Sequence, residues 1–202
     1  MSALDAVGRY YSEKLARYGA SPRGADWNGT ESQELRFAQL LRVCEGQARF
    51  SLNDIGCGYG ALVDYLTRSG KECDYLGVDI SEPMIAQARQ LHPRARFLAG
   101  QRADRTADYS VASGIFNVRL SASDDDWLGH LHATLGEMAA ASRRGFAFNC
   151  LTKYSDAGRM QDYLYYADPG KLFDHCKRQF ARDVALLHDY GLYEFTILVR
   201  KG

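Results

Sequence analysis

The residues best suited to chemistry lie together at one glycine-rich turn. Asp54 is followed by Gly56, Gly58 and Gly60, and alternating glycines let a backbone turn tightly and approach a ligand without Cβ clashes. An apolar run precedes this turn and a helical pattern follows it, which predicts a strand, a turn and a helix N-terminus. The unpaired N–H groups of such a terminus favour an anionic or strongly polar ligand. The stretch therefore predicts a site for a nucleotide-like molecule.

A second acid strengthens this interpretation. The segment 74–79 has the composition of a strand and ends in Asp79. An acid at the end of the second strand of a βαβ unit can accept hydrogen bonds from both hydroxyls of an adenosine ribose. Dinucleotides and S-adenosylmethionine are both bound in this way, so the spacing alone leaves the two ligands open.

Two segments resemble a known family. Asp-Ile-Gly-Cys-Gly-Tyr-Gly at 54–60 and Gly-Val-Asp-Ile-Ser-Glu-Pro-Met at 77–84 are similar to motifs I and II of the class I S-adenosylmethionine-dependent methyltransferases. The resemblance extends from about position 50 to the C-terminus. It implies S-adenosylmethionine as cofactor and S-adenosylhomocysteine as product. The residues that it implies for cofactor binding are Asp54, Gly56, Cys57, Gly58, Asp79, Ile80, Met84, Gln101, Ser113 and Gly114.

The order of the patterns predicts the fold. Strand and helix patterns alternate after position 47, which favours a mostly parallel sheet with helices on both faces. The family resemblance implies a Rossmann-like α/β sheet of seven strands with an antiparallel C-terminal strand. Two regions are expected: 1–46, with helices and a loop that cover the cofactor cleft, and 47–202, the cofactor-binding core.

Composition limits the partners. The chain of 202 residues has 25 Lys plus Arg against 25 Asp plus Glu, so no net field attracts a polyanion, and a nucleic-acid partner is not expected. No apolar segment approaches the length of a membrane span. Five cysteines without a C-x-x-C pair fit reduced thiols, and His130 and His132 lack the spacing of metal ligands. A cytoplasmic protein without a metal site is predicted, and its oligomeric state stays open.

Aromatic residues are the candidates for a substrate pocket. Trp27 stands in a loop rich in helix breakers, and Phe116 follows the fourth predicted strand. Tyr154 and Tyr166 lie in the irregular stretch 153–166, and stretches of this kind inside a domain are often functional. These four residues are predicted to bind substrate. Arg36 could reach the methionine carboxylate of the cofactor, but a solvated helix face is the favoured interpretation.

Candidates for proton transfer are fewer. His188 is the best single candidate because its pKa suits neutral pH and it precedes the last turn of the chain. Tyr190 and Asn117 are further candidates for catalysis or orientation. A base is needed only if the acceptor must lose a proton.

Methyl transfer to a small molecule is the favoured function. The acceptor atom, whether O, N or C, is left open. The alternatives are a protein that binds S-adenosylmethionine or S-adenosylhomocysteine without catalysis, and a methyltransferase for a protein or RNA. An NAD-dependent oxidoreductase is disfavoured because such enzymes usually add a substrate domain to this core.

Overall fold

The computed structural model describes residues 3–202, which form one seven-stranded sheet in the order β3-β2-β1-β4-β5-β7-β6. The strands are β1 (Arg49–Ile55), β2 (Glu72–Asp79), β3 (Arg96–Ala99), β4 (Ala107–Ala112), β5 (Ser142–Leu151), β6 (Asp183–Leu187) and β7 (Glu194–Arg200). The helices are α1 (Ala3–Tyr18), α2 (Thr30–Leu40), α3 (Ala61–Arg68), α4 (Glu82–Leu91), α5 (Asp124–Ala140) and α6 (Pro169–Gln179). Short 3₁₀ helices lie at Pro22–Ala25, Leu41–Cys44 and Ala157–Arg159.

The pairing of the strands confirms the predicted fold class. Neighbouring strands from β1 to β5 are parallel, and β7 is inserted between β5 and β6 and pairs antiparallel with both. The order reverses next to β1, where β1 lies between β2 and β4. Open α/β sheets bind their ligands at such a switch point, outside the carboxyl ends of the strands.

Each face of the sheet carries its own apolar core. One core joins side chains of α2, α3 and α4 to residues such as Leu52 and Tyr75, and the other joins α5 and α6 to residues such as Phe146 and Phe148. The seam of α5 runs through Leu131, Leu135 and Met138, as helical spacing predicts. The sheet is therefore fixed from both sides, and its carboxyl edge is left for a ligand.

A loop between α1 and α2 is held in place by one aspartate. Asp26 adopts a left-handed conformation with φ 61°. Its carboxylate accepts hydrogen bonds from the Tyr10 hydroxyl at 2.6 Å and from the Lys14 ammonium at 2.7 Å. The next residue in the chain is Trp27, so these bonds restrain the backbone from which the Trp27 side chain projects.

Candidate functional site

The glycine turn connects β1 to α3 and brings the backbone close to a neighbouring strand end. Gly56, Gly58 and Gly60 all have positive φ, at 77°, 55° and 87°. The Gly56 N–H donates to the carbonyl of Val78 at 2.7 Å, which ties the turn to β2. A Cβ on Gly56 would lie 2.0 Å from Cγ2 of Ile115, so no other residue fits there without displacement.

Asp79 joins the turn to the following helix. Its Oδ2 accepts the Gly58 N–H and its Oδ1 accepts the Ser81 N–H, both at 2.8 Å. Burial raises the pKa of this carboxyl, and the N–H groups of Ser81, Gly58 and Ile80 oppose that shift because they stabilise the ionised form. A carboxylate oxygen can accept more than one hydrogen bond. Asp79 therefore keeps the capacity to accept a pair of ligand hydroxyls.

Asp54 is the second acid of the site and is only 3% exposed. The hydroxyl of Tyr75 donates to its Oδ2 at 2.7 Å. Burial raises the pKa of Asp54 to about 7, the hydrogen bond from Tyr75 opposes this shift, and the nearby charge of Asp79 adds to it. The site thus contains a carboxyl group that changes charge near neutral pH.

These residues line one pocket, which encloses about 1000 Å³ of space, part of it open to solvent. Every residue predicted to bind the cofactor lines it: Asp54, Gly56, Cys57, Gly58, Asp79, Ile80, Met84, Gln101, Ser113 and Gly114. Most of the wall is apolar, with polar groups at a few points, as in ligand sites generally.

The pocket fits a ligand with polar groups. The Ser113 hydroxyl lines it, and its oxygen is buried without a hydrogen-bond partner in the described part of the chain. A buried hydroxyl without a partner is costly, and a ligand can satisfy it. The φ values of the glycine turn and the Asp79 carboxylate complete an arrangement that suits a nucleoside.

Of the four residues predicted to bind substrate, one lines the pocket and three do not. Trp27 lines the pocket. Phe116 does not: it is fully buried against Phe148, and the Trp127 indole donates to its carbonyl, so it belongs to the core. Tyr154 is 65% exposed and lies away from the pocket lining.

Tyr166 also lies away from the pocket. Its hydroxyl accepts the Gln161 N–H at 2.9 Å, which closes the irregular stretch on itself. The stretch has local structure because it contains a 3₁₀ helix and a bridge between Val118 and Leu164. The aromatic residues of this segment cover the fold and do not form the wall of the pocket.

None of the predicted catalytic residues lines the pocket. Asn117 is buried in the turn after β4, and its Oδ1 accepts the Leu151 N–H at 3.0 Å, which ties this turn to the end of β5. The Tyr190 hydroxyl is within 3.0 Å of Thr196 Oγ1, and burial raises its pKa. His188 is exposed and packs against Tyr154 and Phe195.

The sequence patterns missed part of the wall. The N-terminal segment contributes Leu4, Val7, Tyr11, Ala25, Gln33 and Phe37, and α5 contributes His130 and Thr134. The imidazole of His130 packs on Trp127, and burial lowers its pKa. His130 and Thr134 are four residues apart and therefore lie on one face of α5. This spacing is the one feature of the sequence that could have indicated a polar face of α5 toward the pocket.

The structure corrects the interpretation of Arg36. The sequence favoured a solvated helix face, but the residue is only 7% exposed. Its guanidinium donates to both carboxylate oxygens of Glu194, at 2.8 Å and 2.7 Å. The guanidinium is therefore already paired within the protein.

The fold and the pocket are those expected of a class I methyltransferase, and comparison with known proteins identifies the chain as one. A methyltransferase-domain family model matches residues 53–145. A protein of Mycobacterium tuberculosis named "Putative methyltransferase Rv1506c" is 60% identical over 165 residues, which are 80% of this chain and 99% of that protein. The chain belongs to this methyltransferase family, and the predicted class of S-adenosylmethionine-dependent methyltransferase is confirmed.

Solved structures agree on the fold. The magnesium protoporphyrin IX methyltransferase of Synechocystis PCC 6803 with bound S-adenosylmethionine has a TM-score of 0.68 at 13% identity, covering 100% of this chain and 98% of that one. DhpI in complex with S-adenosylhomocysteine has a TM-score of 0.69 at 15% identity, covering 99% and 97%.

Two further observations concern metal ions and membranes. No group of three or more His, Cys, Asp or Glu side chains suited to a metal ion occurs within residues 3–202. In the same range, no helix combines the length and the apolar character that crossing a bilayer requires.

Replacing Phe116 tests its assignment to the core. We expect Phe116→Leu to lower the free energy of unfolding by about 1–3 kcal/mol, because the buried aromatic contacts are lost. Affinity for S-adenosylhomocysteine should stay within twofold of wild type. Denaturant unfolding and calorimetry measure the two quantities, and a large loss of affinity at unchanged stability would return Phe116 to the site.

The raised pKa of Asp54 predicts a pH dependence of stability. Between the ordinary carboxyl pKa near 4 and the folded value of about 7, the folded state retains a proton that the unfolded state releases, so stability falls as pH rises. The decrease amounts to at most about 4 kcal/mol. Asp54→Asn should remove most of it. Unfolding followed from pH 4.5 to 8 checks this, and parallel curves for both proteins would contradict the shift.

Proposed function

We propose that this protein transfers the methyl group of S-adenosylmethionine to a small-molecule acceptor. The observation that carries the proposal is the pocket, which gathers every residue predicted to bind the cofactor at the carboxyl edge of the sheet. Residues 1–46 are proposed as a cover for this cleft and 47–202 as the core, since described residues of the first region line the same pocket as the glycine turn.

The contacts suggest a role for each polar group. Asp79 would accept the ribose hydroxyls, and the glycine turn would allow the cofactor to approach the backbone closely. Ile80 and Met84 would border the adenine, and Gln101 would accept a hydrogen bond from its amino group. The buried Ser113 hydroxyl would find its missing partner on the cofactor.

The cofactor carries a methyl group on a positively charged sulfur. When the acceptor forms a bond to the methyl carbon, the bond from that carbon to sulfur breaks, and the sulfur leaves as a neutral thioether. The chain then has to orient the acceptor and exclude water. The N-terminal segment, which contributes Tyr11 and Trp27 to the wall, would exclude water from the pocket. Among the described residues of the wall, Asp54 has a pKa of about 7 and can therefore hold or release a proton near neutral pH, whereas burial lowers the pKa of His130 and favours its neutral form.

Several observations support a small acceptor. The walls are mainly apolar, the net charge is zero, and a basic surface for RNA is not evident from the composition. Among the structural neighbours, one was solved with 1,6-didemethyltoxoflavin and S-adenosylhomocysteine, at a TM-score of 0.64 and 17% identity. A different kind of acceptor, a malonyl group on acyl-carrier protein, stands in the name of a 25% identical O-methyltransferase from Pectobacterium atrosepticum, of which this chain covers 51%. The absence of nucleic-acid and membrane partners and the cytoplasmic location stay predictions.

Replacing Asp79 tests the cofactor assignment. We expect Asp79→Ala to weaken S-adenosylhomocysteine binding by on the order of 100-fold or more, since hydrogen bonds to a charged group contribute about 1.5–3 kcal/mol each. Asp74→Ala is the matched control because Asp74 lies on the same strand but has a 74% exposed side chain paired with Arg105. Titration calorimetry gives the affinities. Equal affinity in all three proteins would disprove the assignment, and binding of NAD in place of S-adenosylhomocysteine would favour an oxidoreductase.

Asp54 predicts a proton linkage of cofactor binding. S-adenosylmethionine carries positive charges, which favour the ionised form of a carboxyl group in the same pocket. At pH 6.5 we therefore expect binding to release a fraction of a proton, and Asp54→Asn to abolish this release. Calorimetry in buffers of different ionisation enthalpy measures the number of protons. An unchanged proton count in the variant would place the titrating group elsewhere.

A further inference from the structure

Trp27 packs directly on the backbone at the end of β4. A Cβ on Gly114 would lie 2.3 Å from Cη2 and 2.6 Å from Cζ2 of the indole, so the ring occupies the place of a side chain. Gly114 has φ 74° and lines the pocket together with Trp27. The indole therefore closes the pocket at the strand end where the proposed methyl transfer would take place.

Arg36 holds the indole from another side. Its guanidinium carbon lies 4.1 Å from the centre of the Trp27 ring, within the range of a cation–π contact. Its Nη1 donates to the carbonyl of Ser32 at 2.7 Å, one turn earlier in α2. The guanidinium plane is thus fixed against the indole.

Glu194 and Asn149 connect Arg36 to the Gly114 backbone through hydrogen bonds. Glu194, at the start of β7, is 2% exposed and accepts two hydrogen bonds from Arg36. Asn149 on β5 donates to Glu194 Oε2 at 3.0 Å, and its Oδ1 accepts the Gly114 N–H at 2.7 Å. We call the set Trp27, Arg36, Glu194, Asn149 and Gly114 the Trp27 brace.

Stability alone does not account for such a set. A buried ion pair is often no more stabilising than well-packed apolar residues, because two charges must leave water. The planar guanidinium, however, can stack on an indole and bind a carboxylate with two bonds at the same time, which a lysine cannot do. The chemistry of the brace therefore suits precise placement of the Trp27 ring.

We propose that Arg36, Glu194 and Asn149 are positioning residues that hold Trp27 against Gly114, so that the indole closes the pocket over the reacting end of the bound cofactor. This inference rests on the proposed function for the identity of the cofactor. The placement of Trp27 itself can be tested without the acceptor.

The two tryptophans of the chain make the test direct. Trp127 is 1% exposed and fully enclosed, whereas Trp27 is half-buried, so acrylamide quenching of fluorescence reports mainly on Trp27. Arg36→Lys keeps the positive charge beside Glu194 and removes the planar stack. We expect it to raise the quenching constant at least twofold and to weaken S-adenosylhomocysteine binding about tenfold. Arg49→Lys is the control, since Arg49 pairs with Glu72 on an exposed surface.

Three further measurements keep the inference falsifiable. Trp27→Phe should remove the quenchable fraction, which identifies the reporter. Glu194→Gln, which is nearly isosteric, should raise the quenching constant as Arg36→Lys does, and it replaces that variant if the lysine protein does not fold. S-adenosylhomocysteine should protect Trp27 from acrylamide in the wild type and less so in either variant.

The outcomes separate the two hypotheses. Unchanged quenching in both folded variants, with normal ligand binding by the wild type, overturns the brace and leaves the proposed function standing. Increased quenching in the variants of a protein that binds no S-adenosylhomocysteine supports the placement of Trp27 and overturns the proposed function. Increased quenching together with loss of ligand protection supports both.

Discussion

The site depends on one carboxylate that is bonded to two segments of backbone. Asp79 accepts N–H groups from Gly58 in the turn after β1 and from Ser81 at the start of α4, so one side chain fixes two loops at neighbouring strand ends. The switch point in the strand order opens a crevice between the ends of β1 and β4, next to these loops. The bonds of Asp79 shape the floor of the pocket, which is formed by the loops after β1 and β2. The bond from the Gly58 N–H to Asp79 restrains the glycine turn, since glycine residues by themselves leave the backbone conformationally free.

The roof of the pocket is held mainly by contacts between side chains. Its residues come from α1, α2 and the loop between them, and none of these segments joins the sheet. Asp26 holds the loop from the side of α1, and the Arg36–Glu194 pair connects α2 to β7. The roof is also bonded to the floor, because the Ser12 hydroxyl of α1 lies 2.8 Å from the Ser81 hydroxyl and the Tyr59 hydroxyl of the glycine turn donates to Oε1 of Gln33 in α2. The two sides of the pocket therefore support each other.

The sequence predicted the floor and the fold well because both follow from local patterns. The turn at 54–60 and the acid at the end of β2 are short, contiguous signals, and the alternation of strands and helices gives the sheet. The roof and the substrate side depend on contacts between distant residues. Arg36 has the pattern of an exposed helical residue until Glu194, 158 positions later, is placed beside it. Phe116 lies at the correct strand end, but its side chain turns into the core, and no local pattern distinguishes the two directions.

The position of β7 has a consequence for the order of assembly. This strand is near the C-terminal end of the sequence, yet it is inserted in the interior of the sheet, between β5 and β6, and it carries the partner of Arg36. Chains emerge from the ribosome N-terminal end first, and contacts of long sequence separation form late. During synthesis the glycine turn and Asp79 can therefore come together well before Trp27 has its support. Until β7 has emerged and joined the sheet, a nascent chain therefore lacks the ion pair that supports Arg36 and the side of the pocket formed by Trp27.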